Sequence, residues 1–449
     1  MDSTFIRVDG SNFVINGKKI TFRGFGVGNW LNIEHFMIGL PGSESQLRGA
    51  LEHAYGPKKA SEFWEKYYMC YINERDFQFL NAIGVNSIRL SYNYRLFESD
   101  LTPYSYNPNG FQQLDRILKL CEKYKIYAIL DLHAAPGGQN PDWHSDNTTG
   151  EALFWEHKEF QKRVIQLWKY IGSHYSTNPW VAAYDLMNEP CYYEPKGKIV
   201  DNFYHDLVQE LRKVDRNHVF FIEGDFYAHF FREYTPYDDP NVAYSFHYYP
   251  WIFTDNLEIN QEKRREEQIN QIERAIFGDG EINFVKNELK RPLWCGETGI
   301  SLKKGDRKIH ESLLRDTIAV LEKHDISWSI WTYKDARSMG CIHPKTDSQW
   351  MKFSTFASGE WKFEEEFEKY LILNNVLKDL NLVHLPKNLQ RKLNFRLLAN
   401  NQLVFCNRYN DIFQKIPAEE LMTYPESFLL ENCDQWPAII DIIKTYTKI

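Results

Sequence analysis

Two glutamates have the setting for bond-breaking chemistry: Glu189, in the run YDLMNEP (Tyr184–Pro190), and Glu297, in LWCGETG (Leu293–Gly299). A carboxyl pair facing one aromatic cleft suits cleavage of a glycosidic bond. One group must stay protonated to donate to the leaving oxygen, and the other must be ionised to attack the anomeric carbon. An arginine beside the nucleophile, for which Arg89 is the candidate, would hold it anionic, and a less polar setting would raise the pKa of the acid. Other polar residues recur at the ends of short apolar runs: Arg89, Asp131 and His133, Asn188, Glu223 and Asp225, His247 and Tyr249, Trp331 and Asp335. A single arginine or histidine in such a place need only satisfy backbone carbonyls. Their recurrence along the chain points instead to one shared cavity.

The elements that would build that cavity are legible. β-branched and aromatic runs at Ile20–Gly26, Ser87–Tyr92, Tyr127–His133, Ala182–Met187, Val219–Gly224, Val242–Tyr248, Leu293–Glu297 and Ser327–Trp331 read as strands. Longer amphipathic segments separate them, among them Ile72–Ile83 (with Gly84 as its stop), Leu114–Tyr124, Phe160–Tyr170 and the charged Glu262–Leu289, broken at Gly278-Asp279-Gly280. Repeated βα units give an α/β protein, and eight strands close a (β/α)8 TIM barrel whose active site lies at the C-terminal strand ends. An open doubly wound sheet is the alternative; it normally shows a glycine-rich phosphate turn after an early strand, and none is present. Residues from about Asn29 to Cys70 exceed the barrel plan and are expected as a lid insertion after strand 1. Phe5–Val8 and Phe13–Ile15 around Asp9-Gly10 read as a hairpin closing the barrel bottom. The expected division is a barrel with its N-terminal hairpin over residues 1–380 and a small C-terminal appendage over 381–449, docked on the barrel. In that tail, Leu393–Leu398 and Leu403–Cys406 around Ala399-Asn400-Asn401-Gln402 read as a hairpin, and Pro437 opens a last helix.

Six motifs, in order, carry a resemblance: GVNSIRL (Gly84–Leu90), DLHAAPGGQN (Asp131–Asn140), DLMNEP (Asp185–Pro190), HYYP (His247–Pro250), GETG (Gly296–Gly299) and SIWTYKD (Ser329–Asp335). Over roughly residues 20–335 the chain resembles glycoside hydrolase family 5, the cellulase–mannanase family of retaining (β/α)8 enzymes. The resemblance implies Glu189 as general acid/base and Glu297 as nucleophile, with carboxyl groups about 5–5.5 Å apart. It implies that Asn188 meets the sugar 2-hydroxyl, that Arg89 supports Glu297, and that His133, His247 and Tyr249 line the central sugar subsite over a Trp331 floor. Asp142, Trp143 and His144 follow in PDWHSDN, a segment similar to the exo-acting, glucosidase-like side of the family, which places Trp143 and His144 among the substrate-binding candidates. The loop Gly28–Arg48 is similar to one in an exo-acting branch that includes β-mannosidases acting on the mannose–N-acetylglucosamine core of N-glycans. Trp30 and Trp251 are further candidate sugar platforms.

Composition narrows the rest. Aromatic residues make up 16% of the chain, which suits both a large core and sugar stacking. A net charge of −8 argues against nucleic acid or an anionic membrane as partner, since both require a basic face. The seven cysteines are odd in number, widely spaced and free of CxxC, as in reduced thiols of a cytoplasmic protein. The N-terminus shows no basic start followed by an apolar run, which fits short, imported oligosaccharides as substrates. His133, Asp142, His144 and Asp146 are the alternative metal ligands; a retaining glycosidase requires neither a metal nor a cofactor. Cys295 reads as a core thiol. The expectation is an exo-acting retaining β-glycosidase releasing terminal β-mannose or β-glucose from small oligosaccharides. The rivals are an endo-acting β-glucanase or mannanase and a sugar-binding barrel without turnover. Oligomeric state is not legible.

Overall fold

The eight apolar runs form eight parallel strands because nearly every residue in them is buried on both faces, the condition for a barrel wall. In a computed structural model that describes residues 4–192, 194, 196–250, 261–301, 307–361, 378–379 and 385–447, the chain starts with three short antiparallel strands, β1 (Arg7–Asp9), β2 (Asn12–Ile15) and β3 (Lys18–Ile20). The barrel strands follow: β4 (Arg23–Leu31), β5 (Ser87–Asn93), β6 (Tyr127–Ala134), β7 (Val181–Asp185), β8 (Val219–Glu223), β9 (Val242–His247), β10 (Leu293–Thr298) and β11 (Ser327–Ile330). They pair in chain order and close where β11 pairs with β4. Each expected strand exists, with ends moved by a few residues. The first moves most, because the backbone stays extended through Leu31.

The N-terminal strands plug the barrel bottom. Ile6 and Phe13 pack with Phe22, Ile129, Ala183, Phe221, Ala243 and Trp294 as an apolar layer under the cavity. Helices clothe the outside. Lys158–Tyr175 buries Val164, Leu167, Trp168 and Ile171 on one stripe. The charged segment before β10 is helical over Gln261–Phe277 and resumes at Glu281 after the glycines.

The insertion after β4 is helical: His35–Ile38, Glu44–Tyr55 and Pro57–Tyr71. A capping box starts the second, with Ser43 and Gln46 satisfying each other's backbone N–H groups, and Pro57 opens the third.

The C-terminal residues fasten to this insertion and to the segment after β11. β12 (Ile342–Pro344) pairs antiparallel with β13 (Cys433–Gln435). Buried Lys334 donates to Phe428 O at 2.8 Å and to Asp76 Oδ1 at 2.7 Å. Tyr55 Oη donates to Ile416 O at 3.0 Å. The expected hairpin around Asn400-Asn401 is absent. Lys387–Phe413 is one 27-residue helix: the segment holds no glycine or proline to turn it, and its leucines and arginines favour the helix over its asparagines. Pro437–Thr447 is helical and buries Ile439, Ile440, Ile442 and Ile443. Among the described residues no helix is long and apolar enough to cross a membrane.

Candidate active site

A polar layer lies directly on the apolar plug. Arg89 is fully buried, with its guanidinium carbon 5.9 Å from the Trp294 ring centroid. It is the third residue of β5, so it sits beneath the strand ends and not at one of them. Its Nε donates to Asp185 Oδ2 at 2.8 Å and its Nη2 to Asn188 Oδ1 at 2.7 Å and Glu223 Oε1 at 3.1 Å. Nη1 donates to Glu297 Oε1 and lies 3.2 Å from Asp131 Oδ2. One guanidinium thus serves four carboxylates, and buried histidines supply further positive charge. His133 Nδ1 is 2.7 Å from Asp131 Oδ2. Burial lowers the His133 pKa, but Asp131 and Glu34 outweigh it and carry the imidazole up to about 10. Burial raises Asp131, and Arg89 and His133 together overcome this and leave it below its ordinary value. Asp185 is pushed well above the carboxylate range by burial and by Glu223.

The two glutamates face each other above this layer. Glu297 lies beside a register shift in the pairing of β10 with β9, the kind of bulge that re-aims a side chain. Its Oε2 accepts from Tyr249 Oη at 2.5 Å while Oε1 accepts from Arg89. Glu189 follows β7 in the left-handed region (φ 46°), which costs a residue with a β-carbon about 1 kcal/mol or more. Its N–H donates to Glu223 Oε2 at 2.6 Å and its carbonyl accepts from Asn140 Nδ2 at 3.0 Å, which holds that conformation. His247 Nδ1 lies 2.7 Å from Glu189 Oε1, and its Nε2 is 3.2 Å from Glu223 Oε1. Carboxylate oxygens of Glu189 and Glu297 and a ring nitrogen of His247 all lie within 4.8 Å of one another.

The electrostatics reverse the expected assignment for the free site. Burial raises Glu189, but hydrogen bonds with His144 and His247 win and hold it well below its ordinary value. Burial raises Glu297 above its ordinary value, opposed by His247 and Arg89 and assisted by Glu189. A reading from one neighbour, Arg89, misses the two histidines on the other carboxylate.

The cavity above the pair has a volume of about 730 Å³, and His133, His144, Glu189, His247, Tyr249, Glu297 and Trp331 line it. Arg89 and Asn188 lie behind the carboxylates, fully buried. Trp331 forms a wall parallel to His133, with ring centroids 5.1 Å apart. Gly26 and Gly28 of β4 make room for it, since a β-carbon at either would lie 2.4 Å from the indole. Trp143 is not among the described lining residues; it is buried edge-on against His35, 4.2 Å between centroids. Trp30 is buried and donates from Nε1 to Tyr68 O at 3.2 Å, a packing role. Trp251 lies outside the described residues. The His133–Asp142–His144–Asp146 metal reading dissolves: Asp142 caps Trp143 N, and Asp146 accepts from Ser45 N, Asn93 and Arg95. The convergent group that geometry would allow a cation is Glu189, His247 and Glu297, the carboxylate pair itself. Cys295 is buried, and burial pushes its thiol up, as expected of a core residue.

Sequence reasoning missed several lining residues, among them Glu34, Tyr227 and His229. Glu34 precedes the helix His35–Ile38 and places Oε1 3.4 Å from His133 Nε2. The extended β4, continuing past Gly28, is the signal that would have put it at the rim. Tyr227 and His229 come from a turn in which Phe226, Tyr227 and Ala228 all have φ between 56° and 62°, a conformation nothing in their identity announces.

The comparisons with known proteins converge on one family. Residues 40–337 match the family described as Cellulase (glycosyl hydrolase family 5). The chain is 32% identical over 464 residues to a protein named β-xylosidase from Phanerodontia chrysosporium, covering 96% of this chain and 95% of that one. It is 24% identical to endoglucanase C of Acetivibrio thermocellus over 306 residues, 61% of this chain and 87% of the relative. In fold it is similar to the crystal structure of endoglucanase Cel5A from Thermotoga maritima, with a TM-score of 0.51 and 17% identity over 70% of this chain and 89% of that one. The eight-stranded barrel, the opposed carboxylates and these matches together place the chain in glycosyl hydrolase family 5, as a glycoside hydrolase.

Proposed function

We propose that this protein is a retaining, exo-acting β-glycosidase that releases a terminal β-linked mannose or glucose from short oligosaccharides such as the mannose–N-acetylglucosamine core of N-glycans. Glu189 is its general acid/base and Glu297 its nucleophile. The observation that carries the mechanism is the approach of the two carboxylates within 4.8 Å. Retaining enzymes hold the pair about 5–5.5 Å apart, whereas inverting ones need about 6.5–9.5 Å to seat a water between them.

In the first step Glu297 attacks the anomeric carbon while Glu189 protonates the departing oxygen. Arg89 and Tyr249 bind one oxygen of Glu297 each, which aims the carboxylate and limits its rotation. Forming the glycosyl ester removes the negative charge of Glu297, so a repulsion that favoured protonated Glu189 is gone. Glu189 then ionises more readily and serves as the base for water in the second step. Asn188 has its Oδ1 occupied by Arg89, and its buried Nδ2 has no partner among the described residues, a donor that the sugar 2-hydroxyl would satisfy.

The exo reading is supported by the insertion after β4. Glu34, His35, Phe36, Leu40 and Pro41 wall the cavity, and a walled site selects chain ends. The relative named β-xylosidase, matched over nearly its full length, supports xylose as a second candidate sugar. The test is the product pattern from a β-linked hexasaccharide, run beside 4-nitrophenyl β-mannoside, β-glucoside and β-xyloside. Monosaccharide and the pentasaccharide left by its removal are the expected early products, and the aryl glycosides name the sugar. Di-, tri- and tetrasaccharides at the first time points would establish an endo enzyme instead.

A further inference from the structure

The loop after β6 brings to Glu189 a second imidazole that no strand end supplies. His144 sits in a short 3-10 turn, Trp143–Ser145, opened by Asp142 Oδ1 accepting from Trp143 N at 2.8 Å and closed by Asp146 in the left-handed region (φ 54°). Its Nε2 lies 3.2 Å from Glu189 Oε2, while His247 occupies the other oxygen. Asn140 locks the arrangement. Its Oδ1 accepts from Asp142 N at 3.0 Å, its Nδ2 donates to Glu189 O at 3.0 Å, and the same Nδ2 is 2.8 Å from His144 Nε2. The loop is tied to the insertion after β4, with Asn32 Nδ2 donating to His144 O at 3.0 Å and Ser45 N to Asp146 Oδ1 at 2.7 Å.

We propose that His144 is a positioning residue that shares the acid/base proton with Glu189, keeping it in the free enzyme and returning it when substrate fills the site. The proposal rests on the acid/base reading of Glu189. In the free enzyme the proton is on Nε2, directed to Glu189 Oε2 at the expense of the Asn140 Nδ2 hydrogen bond, and Glu189 is ionised. With substrate bound the proton passes from Nε2 to Oε2, leaving a neutral imidazole and a neutral carboxyl. Asn140 Nδ2 then donates to the vacated Nε2 lone pair, which stabilises the imidazole in that state. Glu189 gives the proton to the leaving oxygen as Glu297 bonds to the anomeric carbon. In the second step it takes a proton from water as the water oxygen displaces Glu297, and the proton returns to Nε2. The cycle consumes no net proton.

The charged and titratable groups facing His144 are Glu189, Asp142 and Glu34, with His133 at 5.9 Å and Tyr227 at 6.4 Å between ring centroids. Burial lowers the imidazole pKa, and these three carboxylates outweigh it and carry it up to about 9. A pair that shares one proton releases it at a higher pH than either group alone.

The test is His144→Gln, which keeps a donor at the position but cannot titrate. kcat/KM is followed against pH for an alkyl β-glycoside and for the 2,4-dinitrophenyl β-glycoside of the same sugar. The alkyl glycoside, whose leaving group needs a proton, should lose about 10–100-fold, with its alkaline limb displaced by at least about one pH unit to lower pH. The dinitrophenyl glycoside should change less than about 3-fold, since its leaving group needs none. Equal losses on both substrates, or an unmoved alkaline limb, would overturn the proposal as a merely structural role. The wild-type profile is a check that no folding defect can confuse: its alkaline limb on the alkyl glycoside should fall near the raised imidazole value, and a limb at or below about pH 6.5 overturns the proposal. Glu189→Ala, which opens space for a small anion, tested with azide separates the premise. Recovery of dinitrophenyl glycoside turnover, with β-glycosyl azide as product, supports Glu189 as acid/base, so equal losses in His144→Gln then refute the proton-sharing role alone. No recovery overturns the premise and the proposal together.

Discussion

Glu297→Gln lowers kcat by about 10⁴-fold or more on the preferred aryl glycoside, because an amide of the same shape cannot form the glycosyl ester. The geometry makes the loss chemical and not structural. The side chain is buried, its two terminal atoms meet Arg89 and Tyr249, and glutamine keeps an oxygen and a nitrogen in those places. Initial rates measured beside a thermal melt distinguish the two causes: the rate collapses while the melting temperature moves by only a few degrees. The companion Glu297→Ala opens space for a small anion. Azide with an activated β-glycoside then gives the α-glycosyl azide by direct displacement, the opposite anomer from that expected for the acid/base variant. A Glu297→Gln enzyme that keeps more than about 1% of wild-type kcat, after contaminating wild type is excluded, would remove Glu297 from the nucleophile role.

Arg89→Met produces the largest expected loss of stability. A lone guanidinium, with no exposed surface, holds Asp185 at 2.8 Å, Glu223 at 3.1 Å, Asp131 at 3.2 Å and Glu297. Methionine fills the volume but leaves these acids to repel one another in a site that water does not reach. Removing one partner of a buried ion pair costs about 3–5 kcal/mol, a large share of the roughly 5–15 kcal/mol that keeps a domain folded. The urea midpoint should fall accordingly, and activity should vanish even where the variant is still folded, because Glu297 loses its aim. Arg89→Lys restores a charge but not the fork that reaches Asp185, Asn188 and Glu223 at once, so it should recover part of the stability and little of the rate. An Arg89→Met enzyme as stable as wild type would show that the acids are neutral in the folded protein.

The barrel was legible because its strands obey a local rule. Buried on both faces, they read as short β-branched and aromatic runs, and the polar residues at their ends point into one cavity by topology alone. Glu189, Glu297, His133, His247, Tyr249 and Trp331 therefore meet where the motifs place them. What escaped depends on contacts between distant segments. The insertion after β4 is helical because its apolar residues pack beneath the C-terminal residues, as Tyr55 does on Phe413 and Tyr67 on Phe428. Asn400-Asn401 suggested a turn, yet the long run of helix formers around it prevailed. Trp143 carried the signal of a sugar platform but packs against His35 behind the cavity wall. The protonation pattern was hidden for the same reason. The depressed Glu189 depends on His144, from the loop after β6, and His247, at the end of β9, and no single motif holds all three.

The measurement that tests the central claim most directly is the anomeric configuration of the first-formed sugar, followed by proton nuclear magnetic resonance during hydrolysis of an activated β-glycoside. Carboxylate oxygens within 4.8 Å of each other fall short of the roughly 6.5–9.5 Å separation of inverting enzymes, so the β-anomer should accumulate first and the α-anomer should follow only by mutarotation. Appearance of the α-anomer first would mean single displacement by water and would contradict both the nucleophile assigned to Glu297 and the double displacement built on it.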